Sequence, residues 1–306
     1  MGTPDFAVGI LDAVYKNNYE IAAVITAPDK PAGRGQKLNQ SAVKLYALEK
    51  NLRILQPTNL KSEEFLRELK ELNANLQIVV AFRMLPKTVW DMPALGTFNL
   101  HASLLPDYRG AAPINWAIIN GEKKTGVSTF FIDEKIDTGA VILQKETEIG
   151  ESETAGELHD RLMVLGAEAV VETLRLIEKG NVTTVTQPQE EGKTAYKLNR
   201  ENCKIHFQGK SLDVYNHIRG LNPYPSAYTT VKDGADEWNV KIHDVGYVVE
   251  NHSFKPGSFI TDKKNIRIAT ADGFIEVFTL QFPGKKKMKA ADLLNGISFS
   301  DKAFCI

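Results

Sequence analysis

Residues 52–82 read "LRILQPTNLKSEEFLRELKELNANLQIVVAF", and the order of patterns in this stretch decides the fold. "LRIL" reads as a strand, "SEEFLRELKELN" as a helix and "LQIVVAF" as a second strand. The continuous apolar run Ile78, Val79, Val80 fits a strand buried on both faces. Upstream, "EIAAVITA" (20–27) and "SAVKLYALEKN" (41–51) repeat the strand–helix order. Parallel strands need long crossovers, so this alternation predicts an α/β unit with a mostly parallel sheet. The start, "GTPDF", has the form of a strand-to-helix junction, with Thr3 as N-cap and Pro4 at the first helical position. No apolar run stands before it, so the expectation is a sheet lacking its first strand, from a chain that starts late.

The 306 residues are 43% hydrophobic and 25% charged with a net charge of −1, values of a soluble globular protein of about two domains. No apolar run approaches the roughly 20 residues needed to span a bilayer, and the N-terminus lacks a secretory signal pattern. No membrane association is expected. Cys203 and Cys305 stand far apart, form neither a disulfide framework nor a zinc site, and suit the reducing cytoplasm. Charge is uneven: residues 1–199 hold 22 basic and 26 acidic side chains, and residues 200–306 hold 15 and 12. The positive excess gathers at Lys285, Lys286, Lys287 and Lys289, which could meet phosphates or simply form a solvated loop.

Residues 154–179 read as one long amphipathic helix closed by Gly180. The polar stretch "NVTTVTQPQEEGKTAYKLNRE" after it, with Pro188 and Gly192, reads as an interdomain linker. Beyond residue 200, one helix, "SLDVYNHIRGL", precedes short alternating runs separated by turn signals, the pattern of a small β-barrel or sandwich. The expected organisation is a catalytic domain at 1–182, a linker at 183–198 and a β-domain at 199–306.

Several chemistries find no support. "GEKKTGVS" spaces its glycines like a P-loop but has Val127 where the lysine belongs, and there is no H-E-x-x-H, paired C-x-x-C or G-x-S-x-G. No metal is expected. In "NLHASLLP" (99–106), Asn99, His101 and Ser103 share one strand parity and so one face. A half-exposed strand with a polar face would read the same way. Asp137, in "FFIDEKIDTGAVI", follows a β-rich run where a tight turn could aim a carboxylate into a cleft. A carboxamide, an imidazole and a carboxylate suit acyl transfer without a protein nucleophile: one donates to an oxyanion, one relays a proton, one orients the ring.

"GTPDF", "PDKPAGRGQKL" (28–38), "NLHASLLPDYRGAAPINWAI" (99–118), "IDTGAVI", "LNPYPSAY" (221–228) and "PGKKKMKAADLLNG" (283–296) together resemble the folate-dependent N-formyltransferases over nearly the whole chain. The resemblance implies a Rossmann-like formyltransferase domain followed by an OB-like β-barrel, with 10-formyltetrahydrofolate as cosubstrate. It places Asn99, His101 and Asp137 on the family's catalytic trio and Ser103, Leu104, Leu105 and Pro106 on its folate-contacting stretch. The implied acceptor is the α-amine of methionine on charged initiator tRNA, with Arg34, Lys37, Lys285, Lys286 and Lys287 expected at the tRNA and the protein acting as a monomer. An amino sugar nucleotide or ribonucleotide amine is the rival acceptor, and an RNA-binding protein without catalysis the rival class. One departure is local: where the family carries an aromatic–Gly pair before Leu-Pro, this chain has Phe82 and Arg83 before Met84, Leu85 and Pro86.

Overall fold

A computed structural model describes residues 1–32, 37–188 and 192–306. They form two compact units, the first Met1–Gly110, Lys124–Glu148 and His159–Thr194, the second Ala111–Lys123, Ile149–Leu158 and Ala195–Ile306. In chain order the elements are α1 (Asp5–Lys16), β1 (Val24–Ile25), β2 (Lys30–Ala32), β3 (Lys37–Asn39), α2 (Ala42–Glu49), β4 (Ile54–Leu55), α3 (Glu63–Glu71), β5 (Gln77–Val80), α4 (Lys87–Trp90), β6 (Thr97–His101), β7 (Arg109–Gly110), α5 (Pro113–Ile119), β8 (Lys124–Phe131), β9 (Val141–Glu148) and α6 (Ala155–Glu178). There follow β10 (Thr194–Ala195), α7 (Ser211–Gly220), β11 (Ala227–Asp233), β12 (Asp236–Ile242), β13 (Val245–Val249), β14 (Phe259–Thr261), β15 (Ile266–Ala269), β16 (Gly273–Val277), β17 (Thr279–Gln281), β18 (Met288–Lys289), α8 (Ala290–Leu294) and β19 (Phe304–Cys305). Among the described residues, no helix is long and apolar enough to cross a membrane.

In the first unit the 52–82 stretch folds as β4, α3 and β5. Ser62 caps α3 by accepting the Phe65 N–H at 3.4 Å. Glu63 and Glu64 sit in the first turn and Lys70 in the last, as the helix dipole favours. Phe65 and Leu69 bury the inner face of α3. The sheet is not mostly parallel as expected. β1 pairs β4 in parallel and β5 pairs β6 in parallel, but β6–β8 and β8–β9 are antiparallel. For β8–β9 the physical reason is connection length: residues 132–140 are too few for the crossover of a dozen or more residues that a parallel neighbour needs. The strand expected over 20–27 is reduced to Val24 and Ile25, and Gly2 makes a parallel bridge with Val80. The N-cap of α1 is Pro4 rather than Thr3, because Pro4 itself is extended (ψ 176°) and helix begins at Asp5.

β6 carries Phe98 and Leu100 on one face, 0% and 3% exposed; burying such side chains contributes about 1.5–3 kcal/mol each. Leu100 lies against α6 at Gly166, where a β-carbon would come within 2.7 Å of Leu100 Cδ2. A larger residue there would push the Leu100 side chain aside. Asn99 and His101 point to the opposite face by strand alternation.

In the second unit, two antiparallel sheets share one core. Their strand orders are β18-β17-β12-β11-β19 and β13-β16-β15-β14, and Val231, Val240, Ile266, Ile268, Ile275 and Leu280 meet in the core, each at most 1% exposed. The strands of the expected OB-like barrel do not close among the described residues: an isolated bridge joins Ser258 to Phe304, near β14 and β19, and no ladder joins the remaining edges. The chain changes sheet at two corners, His243–Asp244 between β12 and β13, and Phe278 between β16 and β17. The Asp244 carbonyl accepts both the Phe278 and Thr279 N–H groups, at 2.9 and 3.1 Å. Fixing the backbone there ends each ladder before the next begins.

Candidate active site

The end of β6 and the turn between β8 and β9 bring Asn99, His101 and Asp137 into one region of the first unit. Asn99 pairs across the sheet with Val79 and Phe130, and His101 with Ser128. His101 is 7% exposed. Its Nε2–H donates to the Tyr108 carbonyl at 2.8 Å; a carbonyl can only accept, so this contact selects the tautomer. Nδ1 then faces Asp137 Oδ2 at 3.8 Å. The imidazole thus has one nitrogen committed to the backbone and one open toward a carboxylate.

Asp137 sits at φ +56°, a conformation short polar side chains tolerate. Its Oδ2 accepts the Gly110 N–H at 2.9 Å. The turn is held from both sides. Asp133 accepts the Thr138 hydroxyl at 2.8 Å, and Gln187, 7% exposed, donates to the Asp137 and Gly139 carbonyls at 3.0 and 2.8 Å. Gln187 Oε1 in turn accepts Arg109 Nε and Nη2 at 3.1 and 2.7 Å. Gly139 has no alternative residue, since a β-carbon would lie 1.6 Å from the Phe131 carbonyl oxygen.

Asn99 differs from all of these. Its Oδ1 is fully buried without a hydrogen-bond partner. An unpaired buried polar atom costs about 1–3 kcal/mol, and native structures rarely keep one without a use. A substrate group arriving beside His101 would satisfy it.

The 103–106 stretch is built into the same region. Ser103 is fully buried and donates to the Asp107 carbonyl at 2.6 Å. Ser128 Oγ donates to the Ser103 carbonyl at 2.6 Å and accepts the Leu105 N–H at 3.0 Å, while Gln144 donates to the Leu105 carbonyl at 2.9 Å. Leu105 is buried, Leu104 and Pro106 are half-buried, and the Leu105–Pro106 bond is cis. Arg83, at the departure from the family pattern, donates through Nη1 to the Thr58 carbonyl at 3.0 Å and through Nη2 to that of Pro57.

The cationic candidates are elsewhere. Arg34 and the Lys37 side chain lie outside the described residues. Lys285 and Lys286 are exposed in the turn between β17 and β18, and Lys287 is paired with Asp244 at 2.9 Å. Among the described residues, no group of three or more His, Cys, Asp and Glu gathers as a metal site would. Sequence reasoning missed the Tyr108 carbonyl, the Gly110 N–H and Gln187. Tyr108 and Gly110 lie inside the quoted "DYRGAAP" motif; Gln187 lies in the stretch read as a linker and carries no local signal. Val185 of the same stretch bridges to Val141.

Comparison with known proteins follows this geometry. The formyl transferase family matches residues 1–174 and the formyl transferase C-terminal domain matches residues 197–298. A methionyl-tRNA formyltransferase of Flavobacterium johnsoniae is 64% identical over 304 residues, covering 99% of this chain and 96% of the relative. That of Flavobacterium psychrophilum is 66% identical over 305 residues, with the same coverage, and that of Bacteroides fragilis 49% identical over 309, covering 98% and 95%. Among solved structures, the sugar 3N-formyl transferase WlaRD shares the fold with a TM-score of 0.64 at 24% identity, covering 93% of this chain and 97% of that one. The match of both domains and of these full-length relatives leads to one conclusion: the chain belongs to the formyl transferase family and, within it, to the methionyl-tRNA formyltransferases.

Proposed function

We propose that this protein transfers the formyl group of 10-formyltetrahydrofolate to the α-amine of methionine on initiator tRNA, with Asn99, His101 and Asp137 as its catalytic groups. The acceptor follows the relatives at 64% and 66% identity. The single observation carrying the residue assignment is the buried, unpartnered Asn99 Oδ1 on the strand that also carries His101, which faces Asp137.

The folate supplies an activated formyl carbon. The α-amine titrates near about 8, so a neutral nucleophile is accessible and the protein must position two reactants and move one proton. Asn99 Nδ2–H donates to the oxyanion that develops as the amine adds. His101 takes the amine's proton through Nδ1, the ring nitrogen left open by the Tyr108 contact, with Asp137 offsetting the imidazolium charge, and gives it to the folate nitrogen as the adduct collapses, the formyl C–N bond to the folate breaks and tetrahydrofolate leaves. His101 does not itself donate to that oxyanion, because its Nε2–H is spent on the Tyr108 carbonyl.

Ser103 to Pro106 form the folate contact. Because Ser103 and Leu105 use their polar groups inside the turn, the surface on offer is that of Leu104 and Pro106. Arg34, Lys37, Lys285, Lys286 and Lys287 meet tRNA phosphates. Residues 1–182 act as the catalytic domain, 183–198 connect it while lending Gln187 to the Asp137 turn, and 199–306 act as an OB-like tRNA-binding domain of a cytoplasmic monomer. Formyl transfer assayed on charged initiator tRNA and on a dTDP-linked amino sugar tests the reading. Turnover of the tRNA alone is expected; turnover of the sugar alone would overturn it.

A further inference from the structure

The sheet row that holds His101 continues into two polar side chains with no part in the chemistry. His101 on β6 stands opposite Ser128 on β8, and Ser128 stands opposite Gln144 on β9. Directly opposed residues share a face, so the imidazole, the hydroxyl and the carboxamide form one line across three strands. Ser128 is fully buried and Gln144 half-buried. The Ser103–Pro106 stretch folds back over this same face. Leu105 packs with Phe130 and Val141 in one buried cluster, and Phe130 is the residue opposite Asn99. Leu104 reaches β8 at Gly126, where a β-carbon would come within 2.6 Å of Leu104 Cδ2.

The polar groups of the row account for how that stretch is held. A serine hydroxyl offers one donor and two acceptor sites, and Ser128 uses all three: it donates to the Ser103 carbonyl at 2.6 Å and accepts the Leu105 N–H at 3.0 Å and Gln144 Nε2 at 2.9 Å. Gln144 Nε2 gives its other hydrogen to the Leu105 carbonyl at 2.9 Å. Both backbone groups of Leu105 are therefore gripped by side chains of the sheet and not by a strand ladder. Apolar contact with Phe130 sets the depth of Leu105, but apolar contact is non-directional. Hydrogen bonds, which weaken steeply off line, set its position along the strands.

We propose that Ser128 and Gln144 are positioning residues for the folate: by gripping the Leu105 N–H and carbonyl they fix the turn whose Leu104 and Pro106 meet the cosubstrate, in register with His101. The inference rests on the reading of Ser103–Pro106 as the folate contact. Neither side chain touches the reacting atoms; each acts through the turn. His101 and Asp137 have anchors of their own, at the Tyr108 carbonyl and the Gly110 N–H. Loosening the turn thus weakens the folate equally in the ground state and the transition state, which raises KM and leaves kcat.

The test is steady-state kinetics of the full chain with each substrate varied in turn. Gln144→Glu keeps the shape of the side chain and removes both donors, at a half-buried position that tolerates the change if Ser128→Ala fails to fold. In each variant KM for 10-formyltetrahydrofolate is expected to rise about tenfold, with kcat within about twofold and KM for charged tRNA unchanged. The double variant is expected to fall short of the product of the two effects, since both act through one turn. Hydrogen exchange at the Leu105 amide should quicken in Ser128→Ala. An unchanged folate KM in both variants, a loss of kcat at constant KM, or fully multiplicative effects would each overturn the proposal. Leu104→Ala separates it from the reading beneath it. If that variant raises the folate KM while Gln144→Glu and Ser128→Ala do not, the folate contact stands and the positioning role falls; if Leu104→Ala leaves the folate KM unchanged, the contact itself is refuted, and the positioning role with it.

Discussion

The end of β6 and the turn between β17 and β18 both carry polar side chains proposed to meet substrate, and they are built in opposite ways. Around β6 nearly every polar group is spent: His101 on Tyr108, Asp137 on Gly110, Ser103 on Asp107, Gln187 on three partners. Asn99 is left as the exception. At the other turn Lys285 and Lys286 are exposed, and the Lys287–Asp244 pair is about half-exposed on both sides. In the proposed roles, the first region would hold atoms in place for a reaction in which a displacement of about 1 Å can cost 10²-fold, and the second would act through charge, which is insensitive to geometry and screened by salt. Catalysis and tRNA affinity should accordingly separate on mutation.

The largest effect breaks that comparison at the catalytic side. Asn99→Asp, His101→Ala and Asp137→Asn are each expected to lower kcat by about 10²–10³, the usual cost of removing one preorganised group, with Kd for tRNA unchanged in a filter-binding titration. A variant with near-normal kcat would remove its residue from the trio. Gln187→Ala sharpens the same side. It leaves two carbonyls and Arg109 without their partner, costing about 1–3 kcal/mol, which calorimetry should read as a Tm lower by about 2–10 °C. Loosening the Asp137 turn should lower kcat about tenfold with little change in KM.

Lys285→Ala with Lys286→Ala tests the charged side. Each lost phosphate contact should flatten the log K against log salt plot by about 0.7–0.9, with kcat at saturating tRNA unaltered. Lys287→Ala should flatten it less, because Asp244 already competes for that ammonium. An unchanged slope would make the turn a solvated loop.

The smallest effect is on pH. Burial lowers His217 from 6.5 to about 4, and burial followed by the Lys287 charge lowers His243. Both stay neutral in the folded second unit while the unfolded chain takes up protons below pH 6.5, so stability present above that value is lost as pH falls toward 4. The carboxylates Asp244 and Asp272 are held below 3.8 by their hydrogen bonds with Thr279 and with Ser211, so the stability they contribute begins to be lost only below about pH 5, as the unfolded chain takes up protons. Tm should fall by a few degrees between pH 6.5 and 4, and less in His217→Gln. Parallel curves for the two proteins would refute the assignment.

Local sequence determined much of this protein. Apolar periodicity and capping at Ser62 made α3 legible, continuous apolar runs made β5 legible, and the parity of Asn99 and His101 put both on one face, because these depend on neighbours within a few residues. Long motifs carried the family and the assignment proposed for Asn99, His101 and Asp137. The tertiary structure alone decided the rest. Antiparallel β8 and β9, the open sheets of the second unit, the Tyr108 carbonyl that selects the His101 tautomer and the Gln187 clamp 50 residues from Asp137 all arise from pairings between distant segments. Backbone carbonyls and N–H groups are the same in every residue, so which of them meet is set by how the chain folds back on itself, and no side-chain pattern encodes it.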